Sequence, residues 1–446
     1  MNTPTSAFNR RILLKSGAAA AASLCLPRWF VEETAAQAAP EVPKSPSDRP
    51  GILLVGCGGM GEADARLASK FGDVLAVCDV DRNRADEKAE KLKADARYSD
   101  FRKAINHRGI DVVVNGTPDH WHTLVNLHAL RAGKDVYSEK PLTLTIDEGK
   151  KLVAAARETG RILQTGSQQR SSPRFRLACE LVRNGRLGKL VHILTTLPSG
   201  PIEGPFAIKP VPPELDWNFW LGQAPLVDYV PQRCHLTFRF WHEYSGGTIT
   251  DWGAHHNDIA QWANGTERSG PITVEGKVLS QPIPGGYTTP AWYEVQYTYA
   301  NGVTQTCKNV RSENFYGAPV GEVKASDERN GVRFEGTDGW LFVNREKIVA
   351  SRPEILEQEL PANAERLYVS NDHMGNFFEC VRSRKPPVCE PEIGHRSVSV
   401  CHLGAIALRT GRKLNWDPAR EEFVNDSDAN GYLAREMRKP WSYDAV

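Results

Sequence analysis

Little in this chain places it outside ordinary globular chemistry. It has 9 Cys in 446 residues, and no two of them stand in a C-x-x-C pair. Spacings such as Cys57, Cys78, Cys179 and Cys234 suit neither a zinc site nor a dense disulfide framework, so no metal site is expected. Neither charge is in excess, since 55 Lys+Arg stand against 54 Asp+Glu. Without a basic surplus to release counterions, nucleic acid is excluded as the main partner. The uncharged run SGAAAAASLCL, residues 16–26, falls well short of the roughly 20 residues that cross a bilayer. With hydrophobic residues at 40% and aromatics at 9%, disorder is excluded as well. At this length two domains are the default.

Acids are missing from residues 1–31, which carry Arg10, Arg11, Lys15 and Arg28. The stretch NRRILLK ahead of that weakly apolar run resembles a twin-arginine export signal, with Ala36-Gln37-Ala38 as a cleavage site. The reading is a signal over 1–39 and a Pro-rich spacer over 40–50. A periplasmic or otherwise exported protein is expected, with no stable membrane insertion once the signal is removed.

From residue 51 strands and helices alternate. Ile52–Val55, Val74–Cys78, Val112–Val114, Val136–Ser138 and Ile162–Leu163 are short apolar runs separated by helical patterns. That alternation predicts a doubly wound parallel sheet over 51–170. The first run leads into Gly56-Cys57-Gly58-Gly59-Met60-Gly61, a G-x-G-x-x-G turn that opens a helix. Gly56 serves the tight turn, Gly58 the approach of a pyrophosphate, and Gly61 the packing of helix on strand. Asp79, 18 residues beyond Gly61 at the tip of the next strand, would hold the adenosine ribose hydroxyls. NAD is the expected cofactor, although Arg82 and Arg84 leave NADP open.

The second half changes character. Asn301-Gly302 and Asp338-Gly339 each sit between strand-like runs, a hairpin signal. With Leu190–Leu197 and Ile272–Leu279 this predicts an α+β domain over 171–446 on a mostly antiparallel, open sheet. Helices are expected around Gly253–Trp262, from Asp372 to Arg384 and from His395 to Gly411. A broad sheet open on one face would expose apolar surface, so a homodimer or homotetramer is expected.

The segments TPDHWHTLVNLHALRAGKDVYSEKP and GGTITDWGAHHNDIAQW, together with GCGGMG and Asp79, resemble the Gfo/Idh/MocA oxidoreductases. The resemblance spans about residues 51–442. It implies an enzyme that oxidises CH–OH groups of sugars, glycosides or cyclitols. Carried over residue by residue, it adds Gly59, Met60, Thr117, Pro118, His122 and Glu139 to the nucleotide-binding set. It places Lys140 beside the nicotinamide and makes Asp251 and His255 an acid–base pair. Arg170, Trp252 and Asp258 become substrate contacts. On one helix, positions 251, 255 and 258 would share a face. Asp251 has a second reading as a helix N-cap. Trp217, Trp220, Trp241, Trp252 and Trp262 suit either stacking on a sugar ring or a core.

Two other functions compete. An NAD-dependent glycosidase of this fold would carry Gly-Gly-His-Gly-Gly, whereas here Gly246-Gly247 is followed by Thr248. A non-catalytic sensor is disfavoured because Lys140, Asp251 and His255 are all present.

Overall fold

The computed structural model describes residues 26–35, 48–310 and 330–444. Arg10, Arg11, the run up to Cys25, Ala36–Ala38 and most of the Pro-rich spacer lie outside the described residues. Helix α1 (Arg28–Ala35) lies within them, inside the segment read as a signal over 1–39. Its Phe30 is 0% exposed in a core with Phe175, Leu181 and Phe334, and Trp29 Nε1 donates to the Leu356 carbonyl at 3.1 Å. The aromatic side of RWFVEETA packs because the neighbouring domain offers it an apolar surface, which composition alone does not reveal. Among the described residues no helix is long and apolar enough to cross a membrane.

Strands β1 (Gly51–Val55), β2 (Asp73–Cys78), β3 (Ala96–Tyr98), β4 (Ile110–Asn115), β5 (Asp135–Ser138) and β6 (Leu163–Thr165) form a parallel sheet ordered β3-β2-β1-β4-β5-β6. The three-residue edge strand β3 has no apolar run to announce it. Every residue of β1 is buried, as a strand covered on both faces requires. The order in which strands are added to the sheet reverses between β1 and β4, which opens a crevice at their carboxyl ends. Helix α2 (Gly59–Ala68) starts from that crevice, as does α3 (Asp119–Arg131). Next comes α4 (Ile146–Thr159), closed at its start by a capping box between Thr145 and Glu148.

The second sheet has nine strands: β7 (Leu190–Pro198), β8 (Pro271–Val278), β9 (Tyr293–Tyr299), β10 (Thr304–Val310), β11 (Gly331–Gly336), β12 (Gly339–Val343), β13 (Ile348–Ala350), β14 (Leu414–Asp417) and β15 (Glu422–Phe423). Their order is β13-β12-β11-β7-β10-β9-β8-β14-β15, antiparallel except for β7 with β10. Gly302 adopts φ +85° in the first hairpin turn; the second turn falls one residue before the expected Asp338-Gly339, with Gly339 opening β12. Helix α5 (Gly253–Asn264) covers one face of this sheet, as does α7 (Pro391–Thr410). Between them in the chain, α6 (His373–Ser383) turns back to the first sheet, where Phe378 stacks on Phe71 at 5.3 Å and Phe377 packs with Ile52 and Val112. The expected division at residue 170 is thus crossed. On that face of the parallel sheet α6 adds to the cover that Ala65 and Ala68 of α2 provide. The open face of the large sheet carries Glu294, Gln296, Thr298, Thr304, Thr306 and Lys308 in register. In register with them the same face carries Leu194 on β7, Trp340 and Phe342 on β12 and Val349 on β13, so it is polar over β9 and β10 and partly apolar beyond β7.

Candidate active site

A cavity of about 450 Å³ occupies the crevice, walled by Gly56, Gly58, Gly59, Met60, Asp79, Thr117, Pro118, Glu139 and Lys140 from the first domain. The segment His235–Phe240 of the second domain closes its other side. Gly56 sits at φ +87°, and a side chain there would lie 2.5 Å from Gly116 and Thr117 backbone atoms. Gly61 is not on the cavity wall; a Cβ on it would meet the Gly56 carbonyl at 2.0 Å, so its role is the close seat of α2 on β1. At Gly58 and Gly59 the geometry is open, with only Arg84 Nη1 at 3.6 Å from an added Gly58 Cβ. This is a cradle with room for a phosphate at a helix N-terminus, so the residues present fit a dinucleotide. Asp79 Oδ2 accepts from Cys57 N–H at 2.7 Å and Oδ1 from Asp81 N–H at 2.9 Å. Burial raises the Asp79 carboxyl. Arg84 lines the cavity, while Arg82 is exposed and does not.

Lys140 follows β5, whose end is fixed by a buried ladder. Asn126 Nδ2 donates to Ser138 Oγ at 2.9 Å, and Asn115 Nδ2 donates to Asn126 Oδ1 at 2.8 Å. Lys140 Nζ then reaches across the domains to Asp251 Oδ1 at 2.5 Å. Arg239 Nε lies 3.6 Å from Asp251 Oδ2. His255 is buried one turn further along, with Nδ1 unpartnered among the described residues. Its ring meets Trp252 edge-on at 5.6 Å. Burial, then Lys140, Arg345 and His256, hold His255 well below the ordinary imidazole range, so it is neutral. A buried network fixes its helix to the sheet: Gln305 Nε2 donates to Asn257 Oδ1 at 2.8 Å and to Thr195 Oγ1 at 2.9 Å.

Several expectations are corrected here. Asp251 ends a separate short helix, Thr248–Asp251, and does not cap α5, whose N-cap is Trp252. Arg170 and Asp258 face each other, with Nε–Oδ2 at 2.8 Å and Nη2–Oδ1 at 2.7 Å and side chains 2% and 1% exposed. A pair so sealed leaves neither charge for a substrate. His122 is absent from the cavity wall; its Nδ1 meets the Pro141 carbonyl at 2.6 Å and its Nε2 that of Thr117 at 2.9 Å. It buckles two loops together behind the cavity. Trp217, Trp220 and Trp241 pack in an aromatic core with Tyr229, Tyr244 and Tyr287, and Trp262 lies under the Arg170 guanidinium. Of the five tryptophans, Trp252 stands beside His255.

Other groups were not singled out by motif. Asp119 lines the cavity and accepts from Ser245 Oγ at 2.5 Å; burial pushes its carboxyl up to about 6, opposed by Ser245, Arg239 and Lys140. Asp64 on α2 faces Glu139, and burial together with that neighbour raises it well above the usual carboxylate range. Arg345 stacks over Trp252 at 4.8 Å, and Gln169 bridges Arg345 Nε (3.2 Å) to the His255 carbonyl (3.0 Å). The readable signals were an acid on the buried side of α2 for Asp64 and an acid next to the expected Pro118 for Asp119. Arg239 and Arg345 carry none, since the fold alone brings them in.

Residues 51–167 match the family model described as oxidoreductase family, NAD-binding Rossmann fold, and residues 203–443 match that of the C-terminal alpha/beta domain. The chain belongs to the Gfo/Idh/MocA oxidoreductase family and is an NAD-dependent dehydrogenase. Among curated proteins it is 23% identical over 378 residues to scyllo-inositol 2-dehydrogenase (NAD(+)) of Bacillus subtilis, covering 82% of this chain and 96% of that one. It is 26% identical over 375 residues to myo-inositol 2-dehydrogenase of Thermotoga maritima, covering 81% and 97%. Among solved structures, GenD2 from gentamicin A biosynthesis in complex with NAD shares the fold, with a TM-score of 0.62, 21% identity, and coverage of 85% of this chain and 100% of that one.

Proposed function

We propose that this protein is exported through its twin-arginine segment and oxidises a CH–OH group of a sugar, glycoside or cyclitol, using NAD that it retains. The observation that carries the reading is the neutral His255 beside the Lys140–Asp251 pair, across the domain boundary from the glycine-rich cradle. When bound, NAD supplies the hydride acceptor. The chain supplies the proton chemistry. His255, uncharged, takes the hydroxyl proton as the carbon loses hydride, and becomes imidazolium. Lys140 donates a hydrogen bond to the substrate oxygen and stabilises the charge that develops there. Asp251 holds the Lys140 ammonium in place and offsets its charge. The inositol dehydrogenases, aligned over nearly their whole length, support a cyclitol or sugar substrate.

Export supports retention, because free nicotinamide nucleotides are scarce outside the cytoplasm. Turnover is then ping-pong: one sugar reduces the cofactor and a second carbonyl reoxidises it. The test is to purify the exported protein, release its nucleotide, and titrate the holoenzyme spectrally with inositols, sugars and glycosides. Protein without NAD(H) would sink retention; nucleotide that no polyol reduces would sink the substrate reading. We also place the chain in a homodimer or homotetramer, and light scattering near the 49.5 kDa of one chain would count against it.

A further inference from the structure

A second cavity of about 450 Å³ shares no lining residue with the first, and none of Lys140, Asp251 and His255 lines it. Its walls come from the end of α7, the segment His242–Gly246 and the C-terminal stretch from Tyr432 to Tyr443. Two guanidiniums stand on it. Arg409 lies over the Tyr432 ring at 4.7 Å, and Arg435 donates to the His242 carbonyl. Neither makes an ion pair with another described residue. Burial and Arg409 push Arg435 down to about 10, and Glu148 and Glu243 oppose them only in part. The acids nearby are committed or outside. Glu148 accepts from Leu144 N–H (2.6 Å), Thr123 Oγ1 (3.1 Å) and the Tyr443 hydroxyl; Glu243 pairs with Arg233 at 3.0 Å; Glu436 is exposed.

The same wall holds two buried acceptors without a donor among the described residues. His120 Nε2 donates to the Trp220 carbonyl at 3.0 Å, and burial keeps this ring neutral, so its Nδ1 is a bare lone pair. Gln223 Nε2 donates to the His120 carbonyl, leaving its Oε1 unpartnered. Buried polar atoms of this kind are costly unless something pairs with them. A ligand that satisfies the site therefore brings an anionic group for the guanidiniums and hydroxyl donors for His120 and Gln223. We infer that this cavity binds a small polyhydroxylated carboxylate of the sugar-acid class, separately from the substrate oxidised at Lys140.

The test is calorimetric titration of the holoenzyme with gluconate, with glucose and acetate as probes that lack the carboxylate or the hydroxyls. Gluconate should saturate, and both comparison probes should bind at least about tenfold more weakly. Arg435→Gln and Arg409→Gln should each weaken gluconate by about tenfold or more while leaving bound NAD and polyol turnover unchanged. Arg409 is exposed, so that variant reports even if Arg435→Gln fails to fold. Lys140→Met should bind gluconate as wild type does. Absence of saturation by gluconate would overturn the site. Equal binding of acetate would overturn the sugar-acid class. Loss of gluconate binding in Lys140→Met, with none in Arg409→Gln, would assign the ligand to the active site instead.

Discussion

Asp251 is joined to Lys140, at 2.5 Å between Oδ1 and Nζ, and the bond spans the two domains. Its partner belongs to the end of β5, not to the histidine four residues downstream. The two residues therefore act as a unit, and their substitutions should not add. Lys140→Met and Asp251→Asn are each expected to slow polyol-driven reduction of bound NAD, by roughly 10²–10⁴-fold for the lysine. The double variant should be about as slow as the slower single one. Rates that multiply would mean that the pair does not function together.

His255 is neutral because burial and three cationic or imidazole neighbours disfavour its charge. With its pKa depressed, the imidazole stays unprotonated as pH falls through 6.5, so the base is ready on both sides of that value. The pH profile of kcat/KM should show no acid limb near 6.5 from this group. His255→Ala should lower the rate at least about a hundredfold with NAD still bound. A wild-type acid limb near 6.5 that disappears in His255→Ala would contradict the neutral assignment.

Asp119 gives stability a pH dependence. Its carboxyl stands near 6 in the fold, chiefly from burial, against about 3.9 in an unfolded chain. A raised pKa means that its favourable contribution is complete below about pH 4 and lost as pH rises through 6. The limit is about 3 kcal/mol for a shift of roughly two units. Asp119→Asn should therefore gain on wild type between pH 4 and pH 7 in denaturant titrations. A difference that does not vary with pH would exclude this titration.

Phe30 is fully buried against the second domain. Phe30→Ala should cost about 3–5 kcal/mol, the usual penalty for removing a buried aromatic side chain. A chain beginning at residue 39 should lose as much or more, since it lacks α1 entirely. Equal melting temperatures for the two proteins would show that α1 adds nothing to the second domain.

The strands of the first domain other than the short edge strand β3, and the nucleotide cradle, were legible because their cause is local. A parallel strand buried on both faces must be continuously apolar, and a turn against a phosphate must be glycine, so β1, Gly56, Gly58 and Asp79 announce themselves in the residues. Lys140 and His255 were legible through the segments that resemble the family. Pairing was not. Spacing alone put Asp251, His255 and Asp258 on one helix face, whereas the helix is interrupted at Trp252, Asp251 turns to Lys140, and Asp258 closes on Arg170. Each of those partners is more than eighty residues away in the chain, and a charge is neutralised by whatever the fold brings within reach. The same holds for α6 on the parallel sheet, for Phe30 in the second domain, and for Arg239 and Arg345 beside the site. Periodicity and turn chemistry determined which segments are strands, helices and cradles. Long-range packing decided which buried charges meet, because an ion pair or an aromatic contact depends on distance in space and leaves no period along the chain.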